Sequence, residues 1–483
     1  MSTIERPVCE ASSAGSSMLF HSVSFVLFFA VVLAVQGRLR HRAQNLFLLA
    51  ASLFFYGSWN AQLLWLIVGS ATLDYVASLA IERSTRRKTA KRWMLASVTA
   101  NLTLLGIFKY AGFFVESFVA LLHTFGVDAS GPALHIILPV GISFYTFQSM
   151  SYTIDVYRGD QRACRSYTDF LLYVSFFPQL VAGPIERASR LLPQIENPRE
   201  PLKRGDVVEG IHLILVGIVQ KVFLADALAV HVDRVFSDPT RFDSLTLLLG
   251  LWAFAVQIYC DFSGYSKMAR GIARLIGFRL VRNFAEPYFS ASITEFWRRW
   301  HISLSAWLRD YLYIPLGGNR RGPGRTYLNL MLTMLLGGLW HGASWNFVIW
   351  GGLHGLFLAV HRALGRKEPG GGPARRAASV FLTFQLTCLA WIFFRAQDLS
   401  QATDFLHGLF AFTARWSDAS LEIAIYLVLC FALDVLLRRR ARGHLLFLFS
   451  RNWALETALI SLLLLLSLLV GENHVVPFVY FQF

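Results

Sequence analysis

Charged side chains are scarce in this sequence: they make up 16% of its 483 residues, against roughly 25% in an ordinary soluble domain. Over this length the shortfall excludes a disordered chain and an ordinary cytosolic enzyme. Cysteine is thin as well. The five present (Cys9, Cys164, Cys260, Cys388 and Cys430) are scattered, with no C-x-x-C pair, which gives neither a disulfide framework nor a zinc signature. No H-E-x-x-H spacing occurs and no repeat period stands out. The polar stretch 1–17 lacks the basic-then-apolar order of a secretory signal and is read as a flexible tail. What is abundant is apolar: 55% of the residues are hydrophobic and 14% aromatic. That composition fits an integral membrane protein, in which roughly 20 apolar residues make one helical crossing.

The net charge of +15, from 45 Lys and Arg against 30 Asp and Glu, would suggest a nucleic-acid partner in a soluble protein. Here the basic residues sit in short clusters between apolar runs, as cytoplasmic loops do. The partner implied is the lipid bilayer, not nucleic acid. Apolar runs fall near 19–35, 46–56, 63–81, 94–122, 136–156, 207–223, 245–259, 327–339, 347–360, 380–394, 423–437 and 455–470. Two segments resist reading as crossings. Residues 170–185 lie between basic stretches and contain Pro178, Gly183 and Pro184, while 283–325 is half polar and rich in Arg and Trp. Both are expected to be re-entrant, because irregular backbone at membrane depth must be sheltered by protein. The expected fold is an all-α polytopic membrane protein of about 11–12 transmembrane helices plus re-entrant helices, with 18–483 as a single domain. The alternation of basic loops places both chain termini outside.

Ionisable groups within such runs are costly and are functional candidates by default. Of the 13 histidines, His21, His41, His123, His135 and His444 sit at run edges, where a solvated imidazole suffices. His301 lies in Phe296-Trp-Arg-Arg-Trp-His-Ile-Ser-Leu-Ser305. His341 ends an apolar run and is flanked by Gly337, Gly338 and Gly342, with His354 following in Gly351-Gly-Leu-His-Gly355. Two readings fit His341: an imidazole satisfied by a helix carbonyl, or a general base that takes a proton from a hydroxyl for acyl transfer. The second needs another polar group nearby and no metal.

Several ordered stretches carry a resemblance. They are Leu138-Pro-Val-Gly-Ile-Ser-Phe-Tyr-Thr-Phe-Gln148, Phe177-Pro-Gln-Leu-Val-Ala-Gly-Pro-Ile185, Asp261-Phe-Ser-Gly-Tyr-Ser266 and Glu295 through Ser305. Trp307-Leu-Arg-Asp-Tyr-Leu-Tyr-Ile-Pro-Leu-Gly-Gly-Asn319 and Leu339 through Trp345 complete the set. Together they make the chain, from about Met18 to its end, similar to the membrane-bound O-acyltransferase family. The likeness is to its bacterial polysaccharide O-acetylases, such as the alginate O-acetylases, and more distantly to the D-alanyl transfer proteins of teichoic acid synthesis.

The resemblance implies a ring of tilted helices around a central tunnel in the bacterial inner (cytoplasmic) membrane. It makes His341 catalytic and His301 its polar partner, with the acyl donor entering from the cytoplasm and acceptor chemistry toward the outer face. The donor expected is acetyl-CoA. Arg298, Arg299, Arg309 and Arg320 then have a use as phosphate ligands, since Arg binds phosphate in bidentate fashion, although anchoring on the basic side of the membrane explains the same residues. Trp297, Trp300, Trp340 and Trp345 are expected to shape the tunnel. Asp261 and Asp310 are expected to pair with nearby Arg.

One position departs from the family pattern: Lys267 stands where relatives commonly carry an acidic residue, and Arg270 adds a second cation. The C-terminal Phe478-Val-Tyr-Phe-Gln-Phe483 is similar to the aromatic tail of a small partner protein in the D-alanyl branch, which makes Tyr480 either an acyl relay or an interfacial anchor. The reaction expected is O-acetylation of an exported or cell-surface polysaccharide, with His341 as base, through a periplasmic acetyltransferase partner or Tyr480. The alternatives are a lipid or teichoic acid-like acceptor, or a non-enzymatic transporter, which would carry an internal repeat.

Overall fold

A computed structural model describes residues 18–131, 139, 141–180, 183–365, 372–414 and 418–441. The expected tail 1–17, the crossing at 455–470 and Tyr480 lie outside the described residues. Within them every regular element is helical. Five helical courses are long and apolar enough to cross a membrane: His41–Arg83, Arg87–Thr124, Arg204–Ser237, Ser244–Leu275 and Pro373–Arg395, with the shorter apolar helix Val23–Gln36 beside them. This is a polytopic all-α membrane protein.

Hydropathy places the helices well and their interruptions poorly. The runs near 46–56 and 63–81 become His41–Asn60 and Leu64–Arg83, separated only by the 3-10 turn Ala61–Leu63. The break falls at Asn60, which is extended (φ −161°, ψ 103°) and whose side chain accepts a hydrogen bond from Gln62 N. A short amide side chain competing for backbone donors is a sufficient local cause. The run near 94–122 similarly contains a π turn, Gly106–Tyr110, between Arg87–Leu105 and Ala111–Thr124.

The two segments expected not to cross are built from short pieces. Tyr167–Ser175 has 9 residues and Phe177–Leu180 has 4; at 1.5 Å per residue the longer spans about 14 Å, under half of a roughly 30 Å hydrocarbon core. The second segment divides into Pro287–Phe289, Ile293–Arg299, Ile302–Leu308 and the π turn Arg309–Tyr313. Its apolar residues Phe284, Tyr288, Phe296, Trp300 and Leu304 are all buried. Protein shelters this irregular backbone, as a low-dielectric surrounding requires.

The centre of the molecule is the 32-residue helix Ser244–Leu275, started by Asp243, whose carboxylate accepts from Leu245 N at 3.0 Å and Thr246 N at 3.3 Å. It packs along Arg204–Ile218 through two glycine pairs spaced seven residues apart. A Cβ on Gly264 would fall 2.7 Å from Gly217 O, and one on Gly271 would fall 2.5 Å from Gly210 O. Small residues let two backbones touch where lipid offers no hydrophobic drive for association. The opposite side of the central helix then carries Phe262 toward the histidines.

Candidate active site

The site is assembled from a helical hairpin and a strained corner. The hairpin is Gly322–His341 followed by Trp345–Ala363. Its helices meet at Gly338 and Gly351, where an added Cβ would overlap the carbonyl oxygens of Phe347 and Met334 respectively. This closeness sets Trp350 of the second helix against His341 of the first, with ring centroids 5.0 Å apart, and against His354 at 4.7 Å. His341 occupies the last position of its helix and is 5% exposed. Trp340 at 5.0 Å and Phe394 at 5.4 Å complete its aromatic surround.

The corner carries His301. Its backbone is left-handed (φ 42°, ψ 55°) and it precedes Ile302–Leu308. A non-glycine residue persists there only where its surroundings over-determine it, and such strain concentrates at functional sites. Asn283 supplies the constraint: its carbonyl accepts from Ile302 N at 2.9 Å. Its side-chain oxygen accepts from Ser303 N at 3.1 Å and Ser303 Oγ at 2.9 Å. Ser303 Oγ accepts in turn from Ile185 N at 3.0 Å, so both re-entrant segments meet at this corner. The His301 ring lies between Phe262 (4.7 Å) and Trp340 (6.1 Å), stacked on Phe144 at 6.2 Å. It is 0% exposed, and neither ring nitrogen has a hydrogen-bond partner among the described residues. Both nitrogens of His354 are in the same state, so the aromatic surround of this region encloses two imidazoles without protein partners among the described residues.

The two imidazoles, 40 residues apart in sequence, have ring centroids 6.5 Å apart. Two buried imidazoles at that spacing are the pair a general-base step calls for, one to take a proton and one to orient the group that loses it. His354 forms a third buried imidazole, stacked on Phe296 at 6.0 Å and 5.1 Å from Trp297.

Trp297 is a shared wall. On its other side lies a cavity of about 450 Å³ whose lining includes Arg298, Arg309, Tyr313 and Met334. Of the four arginines expected to hold phosphate, Arg298 and Arg309 therefore meet at one cavity. Arg299 does not: it pairs with Glu295 at 2.7 Å and donates to Ala285 O at 3.1 Å. Arg320 is exposed in the turn after the π segment. Trp340 borders both His301 and His341, Trp297 lies against His354 and the cavity, and Trp300 is buried against Phe284 and Trp391. Trp345 is 56% exposed and packs on Phe113, because the first residue of its helix faces outward.

A second cavity, of about 520 Å³, is lined by Asp155, Arg158, Arg187, Asp310 and Tyr311 among others. Asp310 pairs with Arg187 and with Arg309, the latter at 2.6 Å. Burial pushes the Asp310 carboxyl up, but hydrogen bonds from Arg309 and Arg187 outweigh it and hold the group below its ordinary value. It is a counter-ion, as expected. Asp261 pairs with a lysine: Lys221 bridges it (2.7 Å) and Asp226 (2.8 Å). Lys267 donates to Gln220 Oε1 at 2.7 Å and Ser263 Oγ at 2.5 Å. It also lies in the field of Asp434, which accepts from Tyr259 Oη at 2.9 Å. The partners of Lys267 are thus two neutral polar side chains, with the Asp434 carboxylate near it on the helix Asp418–Ala441.

Sequence reasoning missed Asn283 and Ser303. Their only local signal is polarity inside an otherwise aromatic stretch. The comparisons with known proteins agree with the geometry. Residues 161–367 match the membrane-bound O-acyltransferase family, a span that includes both His301 and His341. The chain is 46% identical over 402 residues to the probable alginate O-acetylase AlgI of Pseudomonas putida, covering 82% of this chain and 81% of that protein. It is 38% identical over 393 residues to the peptidoglycan O-acetyltransferase of Helicobacter pylori (76% and 73% covered). It is 26% identical over 278 residues to the teichoic acid D-alanyltransferase of Bacillus subtilis (54% and 70% covered).

Proposed function

Since this chain belongs to the membrane-bound O-acyltransferase family and is a multi-pass O-acyltransferase, we propose that it moves acetyl groups from cytoplasmic acetyl-CoA to an exported polysaccharide across the inner membrane. The observation that carries this reading is the His301–His341 pair, buried at 6.5 Å within an aromatic surround. A polysaccharide acceptor is supported by the relatives that acetylate alginate and peptidoglycan.

In the proposed step an acceptor hydroxyl sits between the two imidazoles. His341 takes its proton as the oxygen attacks the thioester carbonyl carbon, and His301 holds the hydroxyl in line. Collapse of the tetrahedral intermediate breaks the C–S bond, and the leaving thiolate takes the proton back from the His341 imidazolium. The products are the acetyl ester and coenzyme A, with no net proton change. The pantetheine arm would run through the 450 Å³ cavity, with Arg298 and Arg309 on the coenzyme's phosphates and Trp297 beside the thioester end.

The double variant Arg298→Ala/Arg309→Ala tests the donor. Hydrogen bonds between charged groups are worth about 1.5–3 kcal/mol, so KM for acetyl-CoA is expected to rise about 10- to 100-fold with kcat little changed. KM for acetyl-pantetheine, which lacks the nucleotide, should not move. An unchanged KM for acetyl-CoA would remove both arginines from donor binding.

The first acceptor would be the hydroxyl of a periplasmic acetyltransferase partner or of Tyr480. A phenol ester stays activated relative to a sugar ester, which suits a relay. Tyr480→Phe keeps an aromatic anchor and deletes the hydroxyl. Loss of polysaccharide acetylation in cells is the result expected of a relay, and unchanged acetylation would leave Tyr480 as an anchor only.

A further inference from the structure

The helix that ends in His341 needs donors for its last carbonyls, because a helix C-terminus leaves four of them without intrahelical partners. In water the solvent would supply them. Here Gly342 N meets Gly338 O at 3.4 Å, and the other three are met by one neighbouring segment, the π turn Gly106–Tyr110. Lys109 Nζ donates to Trp340 O at 2.7 Å and to His341 O at 3.0 Å, and Tyr110 Oη donates to Leu339 O at 2.9 Å. Three consecutive carbonyls, ending on the histidine itself, are held by two consecutive side chains more than 200 positions away.

The cation is in an unusual place for a structural lysine. Lys109 lies well inside the 38-residue apolar course Arg87–Thr124, where an ammonium is expensive and is retained for a purpose. Among the described residues no carboxylate pairs with it. What it faces is the negative end of a helix, where a cation is favoured, and the face of Trp340, whose ring centre is 5.9 Å from Nζ. The π turn is itself informative. The extra residue in the turn sets Lys109 and Tyr110 side by side toward the hairpin, and π turns inside α-helices are frequent at functional sites.

From this geometry we infer that Lys109, with Tyr110, is a positioning residue of the acyl-transfer site: it fixes the C-terminal turn that presents Trp340 and His341. The inference rests on the proposed role of His341. Lys109 touches the backbone on which His341 and Trp340 are mounted. A change there moves the base relative to His301 without altering any group on the donor cavity, so turnover and donor affinity should separate. Misplacement of a reacting group by a fraction of its contact distance costs orders of magnitude in rate.

The test compares Lys109→Met, Lys109→Arg and Tyr110→Phe with the wild type, each purified in nanodiscs. Acetyl transfer from acetyl-CoA is measured together with thermal unfolding. For Lys109→Met the expected result is a fall in kcat of about 10- to 100-fold, the scale of losing an outer-shell orienting contact, with KM for acetyl-CoA unchanged. Lys109→Arg keeps N–H donors at the end of a long side chain and should recover most of that loss, and Tyr110→Phe should show a smaller fall of the same kind. A Lys109→Met protein with wild-type kcat would overturn the inference, as would a parallel collapse of kcat and melting temperature that arginine does not rescue. If Lys109→Met does not accumulate, Tyr110→Phe decides: wild-type kcat in that variant overturns the inference. An inactive wild type would count against the proposed reaction instead. The inference would then be judged by the Lys109→Met structure, where an unmoved 339–341 turn contradicts it.

Discussion

Replacing His341 with alanine is expected to abolish acetylation while the protein still reaches the membrane in normal amount. A positioned general base contributes about 10²–10⁴-fold to rate. Trp340, Trp350 and Phe394 pack on His341, and the imidazole facing it, His301, has the orienting role in the proposed step. His354, the nearest further imidazole on the hairpin, lies behind Trp350. Radiolabelled acetyl incorporation into cell-surface polymer, normalised to immunoblotted protein, reads the effect. His341→Gln keeps a polar side chain of similar size and should be nearly as poor, because the amide cannot accept and return a proton at neutral pH. Substantial acetylation by His341→Ala would remove the residue from the chemistry. His301→Ala should fall between that variant and the wild type, since it deletes the partner and leaves the base.

The second large effect concerns folding. Lys221→Met is expected to remove most of the folded protein. Lys221 is 2% exposed and is the bridge between Asp226 and Asp261, at 2.8 and 2.7 Å. Without it two carboxylates face each other in a setting where even paired charges are costly. Deleting one partner of a buried ion pair costs about 3–5 kcal/mol, whereas replacing the whole set by neutral groups is often close to neutral. The triple variant Lys221→Met/Asp226→Asn/Asp261→Asn should therefore recover expression and detergent-resistant folding that the single variant loses. Fluorescence-detected size exclusion of tagged protein separates the two. A well-folded single variant, or a triple variant no better than the single, would show that the bridge carries little stability. Phe262, next to Asp261, packs on His301 at 4.7 Å. The triple variant should accordingly keep measurable activity.

Much of this architecture is legible in the sequence because membrane helices advertise themselves by composition. The apolar runs locate Val23–Gln36 and Ser244–Leu275 within a few residues at their starts, and Pro373–Arg395 at its end. The basic edges and prolines of 170–185 and 283–325 mark the two stretches that the structure builds from short helical pieces. His341 and His301 stand out for the same reason, as imidazoles where lipid or aromatic neighbours were expected. What stays hidden is whatever depends on contact between distant segments. The Asn283–Ser303–Ile185 stitch joins two re-entrant pieces that hydropathy treats as unrelated irregularities. Lys109 reaches a carbonyl 232 positions away. Lys267 looks like a lost acidic group until the fold brings Asp434 into its field. Arg299 and Arg320 resemble Arg298 and Arg309 in sequence, and only the direction of each side chain separates a cavity wall from a Glu295 partner or an exposed turn.

The most direct measurement is acetyl transfer by the purified protein in nanodiscs, supplied with [¹⁴C]acetyl-CoA and an acceptor hydroxyl, with coenzyme A release and labelled ester followed together. The expected result is stoichiometric release and transfer by the wild type and neither by His341→Ala. A folded wild-type protein that neither hydrolyses acetyl-CoA nor transfers its acetyl group would contradict the proposed donor and the role given to the histidine pair.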